Sequence, residues 1–345
     1  MKKSNTKNPS KPKLLKSFKH WFFSSGIAFA LTIIFLLYGP IDTVRDLIIT
    51  SAMTTLSHKY LATRLYSKAT IEAVLAKNKV DELGFNTDAN AIDTAVKNGT
   101  VKLTKVKGSN YNGWLLEISD LSWVRLGVPK SFGEKGQKLP YLVTDYNAIA
   151  GINAGGFADA NGFGNGGYAM GIVVVDGTIV KNSTNTYHNL IGFNNKNVLV
   201  LGKYTTNEIK AMKIRDAVEF TPFLIINGTP ATMTGNGGWG YAPRTAIGQR
   251  KDGTVLFLVI DGRSLTSAGC TMKELQRLMI EYGAYNAANL DGGSSTVMSY
   301  NGEIVNKPSG SDADGMRFLP NAFLVCNPKT FKLPTDRVPY TLRNK

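Results

Sequence analysis

The chain has 345 residues, of which 43% are hydrophobic and 19% charged, so it holds enough apolar material for a folded core and is not wholly disordered. Two cysteines and three scattered histidines exclude a disulfide-dense scaffold and a His-rich metal site. The net charge is +15, and seven of those charges are lysines within the first 20 residues. Because these lysines precede an apolar run, they indicate a membrane surface as the partner, and we expect no nucleic acid.

The apolar run covers residues 21–41 and contains no charged residue. Such a run is long enough to cross a hydrocarbon core of about 30 Å as a helix. The preceding lysines place the N-terminus in the cytoplasm and the rest of the chain outside. A cleaved signal peptide is the alternative, but its apolar region would have only about 7–15 residues, followed by a cleavage site that is not evident here. The sequence therefore predicts a single-pass protein of the cell membrane with an extracytoplasmic main domain.

This topology gives the predicted domain boundaries. Residues 1–20 are a basic cytoplasmic tail and residues 21–41 a transmembrane signal-anchor. Residues 42–76 show apolar side chains near a helical period, which predicts a juxtamembrane helical stalk, with a partner-binding helix pair as the alternative. The polar residues 77–110 are predicted as a linker, residues 111–330 as the globular domain, and residues 331–345 as a C-terminal tail.

In the globular domain, short strand-like runs alternate with Gly- and Asn-rich turns. The dipeptides Asp176-Gly177 and Asn301-Gly302 each predict a hairpin between two such runs. The predicted fold class is α+β or mixed α/β, with a mixed, hairpin-rich β-sheet and packed helices.

One βαβ unit is predicted within this sheet. The apolar run 254–260 is followed by a capping box that opens a helix at Thr271, and then by a second apolar run at 285–290. A strand–helix–strand crossover makes the two strands parallel. Asp261 and Asp291 follow those strands, so we expect both carboxylates at the carboxyl edge of the sheet, where α/β sheets place ligands. Either Asp-Gly pair alone is as readily an ordinary turn, but their pairing across one unit favours a site.

Two segments, 162–167 and 235–240, match the pattern G-x-G-x-x-G. The dinucleotide fingerprint needs a strand before this pattern and a helix after it. The first segment leads into a strand-like run and the second into Tyr241-Ala242-Pro243, so neither opens a helix. We interpret both as flexible loops at the rim of a site and expect no nucleotide cofactor.

The chain resembles the phosphodiester glycosidase family over roughly residues 140–327. Family members include the enzyme that removes N-acetylglucosamine from a phosphodiester. Five spaced motifs support this resemblance: GINAGGF at 151–157, APRTAIG at 242–248, DGRS at 261–264, NLDGGSST at 289–296 and NKPS at 306–309. The resemblance implies a hydrolase that cleaves a sugar-1-phosphodiester at the anomeric C–O bond.

The residue types fit this chemistry. A departing phosphate is already a weak base, so cleavage needs positive charge on the phosphate and a carboxylate near the anomeric carbon more than a strong general acid. The sequence does not decide whether Asp261 or Asp291 supplies the carboxylate. The predicted catalytic residues are Asp261, Asp291 and Arg244. The predicted substrate-binding residues are Asn153, Arg263, Gly292, Gly293, Ser294, Ser295, Thr296 and Arg317.

We expect no metal cofactor. Asp291 beside short oxygen donors is compatible with a divalent cation, but such sites usually gather more oxygen ligands. His188 is expected to be structural. An extracytoplasmic location permits a disulfide between Cys270 and Cys326, although the sequence does not show that they meet.

The expected partners are a phosphorylated glycan or wall polymer as substrate, the membrane through the N-terminal helix, and polysaccharide-assembly proteins of the membrane. The net charge of +8 outside the tail would attract an anionic polymer such as an exopolysaccharide. Two alternatives stay open: a non-catalytic phosphoglycan-binding scaffold in a membrane polysaccharide-assembly complex, and a glycosyl transferase that uses the same site.

Overall fold

The computed structural model describes residues 11–55, 58–95, 99–158, 164–327, 329, 331 and 334, with only the backbone described for residues 11–19. Residues 1–10 of the predicted basic tail therefore lie outside the described residues, as do most of the predicted C-terminal tail and residues 162 and 163 of the first glycine-rich loop. Within these ranges the helices are α1 Lys11–Tyr38, α2 Asp42–Met53, α3 Tyr60–Thr63, α4 Lys68–Lys77, α5 Leu139–Asp145, α6 Thr206–Ala211 and α7 Met272–Glu281.

The strands form four sheets in the described part of the chain. In chain order they are β1 Lys79–Val80, β2 Val101–Lys107, β3 Asn112–Ile118, β4 Val124–Gly127, β5 Ala150–Asn153, β6 Val173–Val175, β7 Thr178–Lys181, β8 His188–Asn194, β9 Leu199–Tyr204, β10 Ile214–Glu219, β11 Phe223–Ile226, β12 Thr229–Pro230, β13 Met233–Thr234, β14 Arg244–Gln249, β15 Val255–Ile260, β16 Asn286–Asn289, β17 Met298–Tyr300, β18 Glu303–Ile304 and β19 Ala322–Val325. The sheet orders are β12-β11-β16-β14-β15-β3-β2, β7-β6-β10-β8-β9, β18-β17-β5-β19-β4 and the pair β1-β13.

Helix α1 contains the predicted membrane segment. Residues His20–Tyr38 form 19 helical residues whose side chains are not buried by the rest of the protein. At 1.5 Å per residue this segment is about 28 Å long, close to the thickness of a hydrocarbon core. The helix ends before Gly39-Pro40, because proline has no N–H to donate and disfavours helical backbone in the residue before it. By length and composition α1 can serve as a signal-anchor or a single membrane span.

The predicted stalk is helical, but it packs against the globular domain. Helices α2, α3 and α4, called here the membrane-proximal helices, bury a small apolar cluster of their own that includes Ile49, Ala62 and Val74. The hydroxyl of Tyr66 donates to the carbonyl of Leu37, which ties this cluster to the end of α1. The spacing of apolar residues in 42–76 predicts the helices, but it does not predict the contacts between these helices and the globular domain.

The predicted linker at residues 77–110 contains two strands, which corrects that boundary. Strand β2 pairs with β3 over seven residues and forms one edge of the seven-stranded sheet. Strand β1 pairs with β13. The alternation in Val101-Lys102-Leu103 is that of an edge strand with one face toward solvent, where lysine discourages further pairing. These lysines made the segment look like a linker.

The predicted fold class is confirmed, as are the main elements around the site. Helix α7 opens with the capping box of Thr271 and Glu274, in which each side chain accepts a bond from the other's backbone N–H. All six residues of β15 are buried. The hairpin turns contain residues with positive φ, including Asp176 at 46° and Asn301 at 51°.

The sheets differ from the prediction in one respect, because every strand pairing in the described residues is antiparallel and the sheets are therefore not mixed. Strands β15 and β16 do run parallel to each other, as the predicted βαβ unit requires, since each is antiparallel to β14. Strand β14 lies between them, and α7 packs against β14 on the way from one to the other. Their carboxyl ends therefore still reach the same edge.

The three larger sheets share one apolar core. The ring of Phe323 in β19 meets Phe193 in β8 edge-on at 6.0 Å and Phe257 in β15 at 6.5 Å, so one residue joins three sheets. A second cluster fills the space between α7 and the outer face of the seven-stranded sheet, through Leu275, Leu278 and other side chains. This packing fixes the ends of β14, β15 and β16 relative to one another.

Candidate functional site

A pocket of about 360 Å³ opens at the edge where β15 and β16 end and β14 begins. Its volume lies within the range of small-molecule sites. Arg244 is the first residue of β14 and pairs with Ile260, the last residue of β15. The loop after β16 is fixed to the same point, since the N–H of Gly293 donates to the carbonyl of Pro243 at 2.8 Å. The start of β14, the end of β15 and the loop after β16 therefore meet at one pocket, although they are distant in sequence.

The pocket contains three arginines and one carboxylate among its described lining residues: Arg244, Arg263, Arg317 and Asp291. The guanidinium charges are close enough to affect one another. The pKa of Arg263 is lowered first by burial and then by Arg317, and Arg263 in turn contributes to the lowered pKa of Arg244. Three like charges held together need a counter-charge, and an anionic ligand supplies one.

Arg244 is the most deeply buried of the three, with 3% exposure. Burial lowers its pKa to about 10, so it remains protonated at neutral pH. Its Nε donates to the carbonyl of Cys270 at 3.2 Å, and one of its terminal nitrogens donates to the carbonyl of Gly240. The guanidinium also lies 5.4 Å from the ring centroid of Trp239. These contacts fix its position in the pocket wall.

Arg263 has no hydrogen bond or ion pair from its guanidinium to any of the described residues, yet it lies in the pocket beside the loop that follows β16. A Cβ added at Gly293 would lie 3.1 Å from Nη2 of Arg263, and Gly293 has a φ of +59°. Glycine therefore gives the backbone both its left-handed turn and its close approach to the guanidinium.

Arg317 is the third arginine of the pocket lining. One terminal nitrogen donates to the carbonyl of Gly164 at 3.0 Å, the other lies 3.5 Å from Oγ of Ser294, and the guanidinium lies over the ring of Phe157 at 4.8 Å. All three guanidinium groups therefore belong to the lining of one pocket.

The two predicted carboxylates are placed differently. Asp291 lines the pocket. Asp261 is not among the lining residues, and its Oδ1 accepts hydrogen bonds from the backbone N–H of Lys307 at 2.7 Å and from the side chain of Asn306 at 3.1 Å. Burial raises the pKa of Asp261, and these two hydrogen bonds oppose that effect. The structure thus brings Asp261 to the expected edge but uses its carboxylate to hold the loop at 306–307.

Asn153 was predicted to contact a sugar hydroxyl, but its side chain is 1% exposed and faces the protein interior. Its Nδ2 donates to the carbonyl of Asp291 at 2.6 Å, and its Oδ1 accepts from Thr245 at 2.8 Å and from the N–H of Val297 at 3.1 Å. Asn153 therefore positions the loop that carries Asp291. Thr296 is likewise 1% exposed and lies beside Thr245 at 3.4 Å, away from the pocket lining.

We expect the substitution Asn153→Ala to lower the free energy of unfolding by about 2–4 kcal/mol, because it leaves buried partners without their hydrogen bonds. Denaturant titration of the purified protein measures this loss. A loss below about 0.5 kcal/mol, accompanied by a raised KM, would instead assign Asn153 a direct contact with substrate.

The other predicted binding residues, Gly292, Gly293, Ser294 and Ser295, line the pocket. Several lining residues were not predicted from the sequence. The aromatic side chains Phe157, Phe220 and Trp239 form part of the wall, and two of them directly follow a glycine in glycine-rich motifs. That adjacency was the available signal, since aromatic rings beside flexible backbone are suited to stacking on a ligand. The remaining unpredicted residues include Thr54, Thr55, His58 and Ser309.

His188 is buried outside the pocket, in agreement with its predicted structural role. Its Nδ1 lies 2.9 Å from Glu219 and its Nε2 lies 3.1 Å from Thr206. Cys270 and Cys326 are both free and buried in different apolar clusters. Burial raises the pKa of each thiol to about 12, so neither is a thiolate nucleophile at neutral pH.

In the described part of the chain, no group of three or more His, Cys, Asp or Glu side chains is arranged to hold a metal ion. The absence of a metal requirement stays a prediction. The described lining of the pocket offers one carboxylate and three cationic side chains, a set that suits an anionic group better than a cation.

Comparison with known proteins gives matches at the family, sequence and structure levels. A family model described as phosphodiester glycosidase matches residues 146–326, just over half of the chain. The SPbeta prophage-derived uncharacterized protein YomE of Bacillus subtilis is 30% identical over 168 residues, which are 44% of this chain and 25% of that protein. The N-acetylglucosamine-1-phosphodiester alpha-N-acetylglucosaminidase of Bos taurus is 33% identical over 73 residues, 21% of this chain and 14% of that protein. The matches thus span a quarter or less of these relatives' length.

Two solved structures are similar in fold. The zebrafish N-acetylglucosamine-1-phosphodiester alpha-N-acetylglucosaminidase catalytic domain, auto-inhibited by its pro-peptide, gives a TM-score of 0.56 at 17% identity over 73% of this chain and 88% of that chain. A hypothetical protein from Synechocystis gives 0.51 at 15% identity over 66% of this chain and 61% of that chain. At these identities the similarity is one of fold.

Proposed function

Because the chain belongs to the phosphodiester glycosidase family, we propose that it is a membrane-anchored extracytoplasmic hydrolase that cleaves a sugar-1-phosphodiester bond in a cell-surface or exopolysaccharide-type glycan. The observation that supports this most directly is the composition of the pocket, in which Arg244, Arg263 and Arg317 surround the space that Asp291 also reaches. Three guanidinium groups can bind a phosphate, and one carboxylate can stabilise the anomeric carbon as it becomes cationic.

The phosphate carries the negative charge of the substrate and gains more as its bond to the sugar breaks. In the proposed reaction the bond between the anomeric carbon and the phosphate oxygen breaks, and its electron pair stays on that oxygen to give a phosphomonoester. Guanidinium donors stabilise this developing charge through charge-assisted hydrogen bonds. Because the burial of Arg244 is already part of the fold, no reorganisation of that group is needed during the reaction.

The sugar becomes an oxocarbenium-like cation, and Asp291 is placed to interact with it. A water oxygen then bonds to the anomeric carbon, and its proton passes to a base, for which Asp291 is the candidate in the pocket. Asn153 holds the Asp291 loop by its hydrogen bond to the Asp291 carbonyl. Phe157, Phe220 and Trp239 offer apolar faces for the sugar ring.

The N-terminal helix supports the proposed location. The apolar helical segment His20–Tyr38 is long enough to cross a membrane, and seven lysines precede that segment, as expected for a cytoplasmic N-terminus. The substrate would then be a glycan outside the cell, and an anionic phosphodiester-linked polymer would be attracted to a basic domain.

The function is tested with the full chain in detergent micelles, a chromogenic sugar-1-phosphodiester and the matching plain glycoside. We expect release from the phosphodiester and at least 100-fold slower release from the glycoside, because only the first offers the arginines a charged leaving group. Binding of phosphorylated glycan without turnover of any sugar in a panel would contradict the proposal and favour the scaffold alternative. Products with an added acceptor in place of water would favour the transferase.

A further inference from the structure

The pocket has a second wall that lies outside the region matched by the family. Thr54, Thr55 and His58 line the pocket, and they lie at the ends of the membrane-proximal helices, which precede residue 146 by a long stretch of chain. Thr54 and Thr55 follow the end of α2, and His58 precedes the start of α3. The site is therefore completed by residues that a description of the globular domain alone would omit.

This wall is fixed beside Arg244. The side chain of Asn236 donates to Oγ1 of Thr50 at 2.8 Å. Gly240 packs against the end of the same helix so closely that an added Cβ would lie 2.0 Å from Oγ of Ser51. Arg244 donates to the carbonyl of that same Gly240. One backbone segment thus touches the helix on one side and the arginine on the other.

The membrane-proximal helices form a stable part of the fold and leave the pocket open. They have their own buried cluster, in which Ile49 and Ala62 have no exposed surface. About 360 Å³ of pocket remains with these helices in place. A segment that filled the site would leave no such volume, so the geometry is that of a wall.

The chemistry of this side of the pocket is polar. The ring of His58 lies 6.3 Å from the ring of Tyr60 and is tilted by 40° to it, and its imidazole makes no hydrogen bond to any residue within the described ranges. Oγ1 of Thr54 donates to helix carbonyls and keeps lone pairs to accept a ligand hydroxyl. In the loop that carries Arg317, the buried Oγ of Ser309 lines the same pocket and also has no partner. Of these groups only the Oγ of Ser309 is buried, whereas Thr54 and His58 are exposed. A buried polar group without a partner is costly, and a hydroxylated ligand would satisfy the Ser309 hydroxyl.

A phosphodiester has two ester arms, and the proposed reaction uses only the sugar arm. We infer that Thr54, His58 and Ser309 bind the other arm, and that this arm is a hydroxyl-rich group such as a polyol or a second sugar. The inference rests on the proposed function and specifies its substrate. The wall then acts as a specificity element that selects what is attached beyond the phosphate.

The test uses two substrates that carry the same sugar-1-phosphate, one esterified to methanol and one to glycerol. With the full chain in detergent micelles, we expect kcat/KM to be at least tenfold higher for the glycerol ester. His58→Ala and Ser309→Ala should each lower that preference at least threefold, by lowering kcat/KM for the glycerol ester. Thr63→Ala, an exposed position on α3 outside the pocket lining, is the matched control and should change neither value.

The outcomes separate this inference from the function on which it rests. Equal turnover of both esters, or a preference that survives both substitutions, would contradict the binding of the second ester arm by this wall. The proposed glycosidase activity would stand. Faster turnover of both esters in His58→Ala would also contradict this binding role, because it would show that His58 obstructs the site. Turnover of neither ester, or of any other sugar-1-phosphodiester, would overturn the proposed function and the inference with it.

Discussion

Asp291→Asn is expected to lower kcat on a sugar-1-phosphodiester at least 100-fold, whereas Asp261→Asn should keep kcat within about threefold, on the usual scale for loss of a general base. Both residues follow parallel strands and both precede glycine, so the sequence treats them alike. The structure places Asp291 in the pocket and turns the carboxylate of Asp261 toward Asn306 and the backbone of Lys307. Steady-state kinetics of the two variants measures this difference directly.

Asp261→Asn is also a matched control for folding. The asparagine keeps Oδ1 as an acceptor for both hydrogen bonds. Because burial raises the pKa of Asp261, ionising this carboxyl costs the folded state some stability at a pH above its folded pKa, and a neutral side chain avoids that cost. The melting temperature of Asp261→Asn at neutral pH should therefore equal or exceed that of the unmodified chain. A 100-fold loss of kcat in Asp261→Asn, with Asp291→Asn active, would reverse the assignment.

Arg263→Ala has the second large expected effect. We expect kcat/KM on the phosphodiester to fall about 100- to 1000-fold, the usual range for loss of one preorganised donor to developing charge. The thermal stability should not fall, because the guanidinium makes no hydrogen bond within the described residues and repels Arg317. Kinetics, thermal denaturation and inhibition by inorganic phosphate are measured on the same preparation, and phosphate inhibition should weaken at least tenfold.

Arg263→Lys distinguishes recognition from simple charge. Lysine keeps the positive charge but lacks the planar fork that holds two phosphate oxygens, so an intermediate rate is expected. Unchanged activity in Arg263→Ala would remove this residue from the site. A large loss of thermal stability would instead indicate that Arg263 holds the loop at Gly293 in place.

The sequence predicted the positions of the site elements better than the direction of their side chains. The connection from β15 through α7 to β16 was enough to place Asp261 and Asp291 at one edge, because crossover connections fix strand direction. It did not show that β14 lies between the two strands, nor that Arg244 therefore begins at the same edge. Side-chain direction at Asp261 depends on Asn306 and Lys307, which are distant in sequence.

Asn153 and the membrane-proximal helices show the same limit in different ways. An asparagine next to two glycines looks like a ligand contact, but its burial follows from three partners on two other segments. A helical period after a membrane span predicts a separate stalk. The helices pack against the globular domain because Asn236 contacts Thr50 and Gly240 contacts Ser51. A local sequence pattern does not show such contacts. Contacts between distant segments decided each case.

Hydrolysis of a sugar-1-phosphodiester in ¹⁸O-labelled water shows whether this chain breaks the bond between the anomeric carbon and oxygen. Mass spectrometry of the two products shows which one takes up the label. We expect ¹⁸O in the sugar and none in the phosphomonoester, with the reaction abolished in Asp291→Asn. Label in the phosphomonoester would show attack at phosphorus, and the chain would then not be a glycosidase.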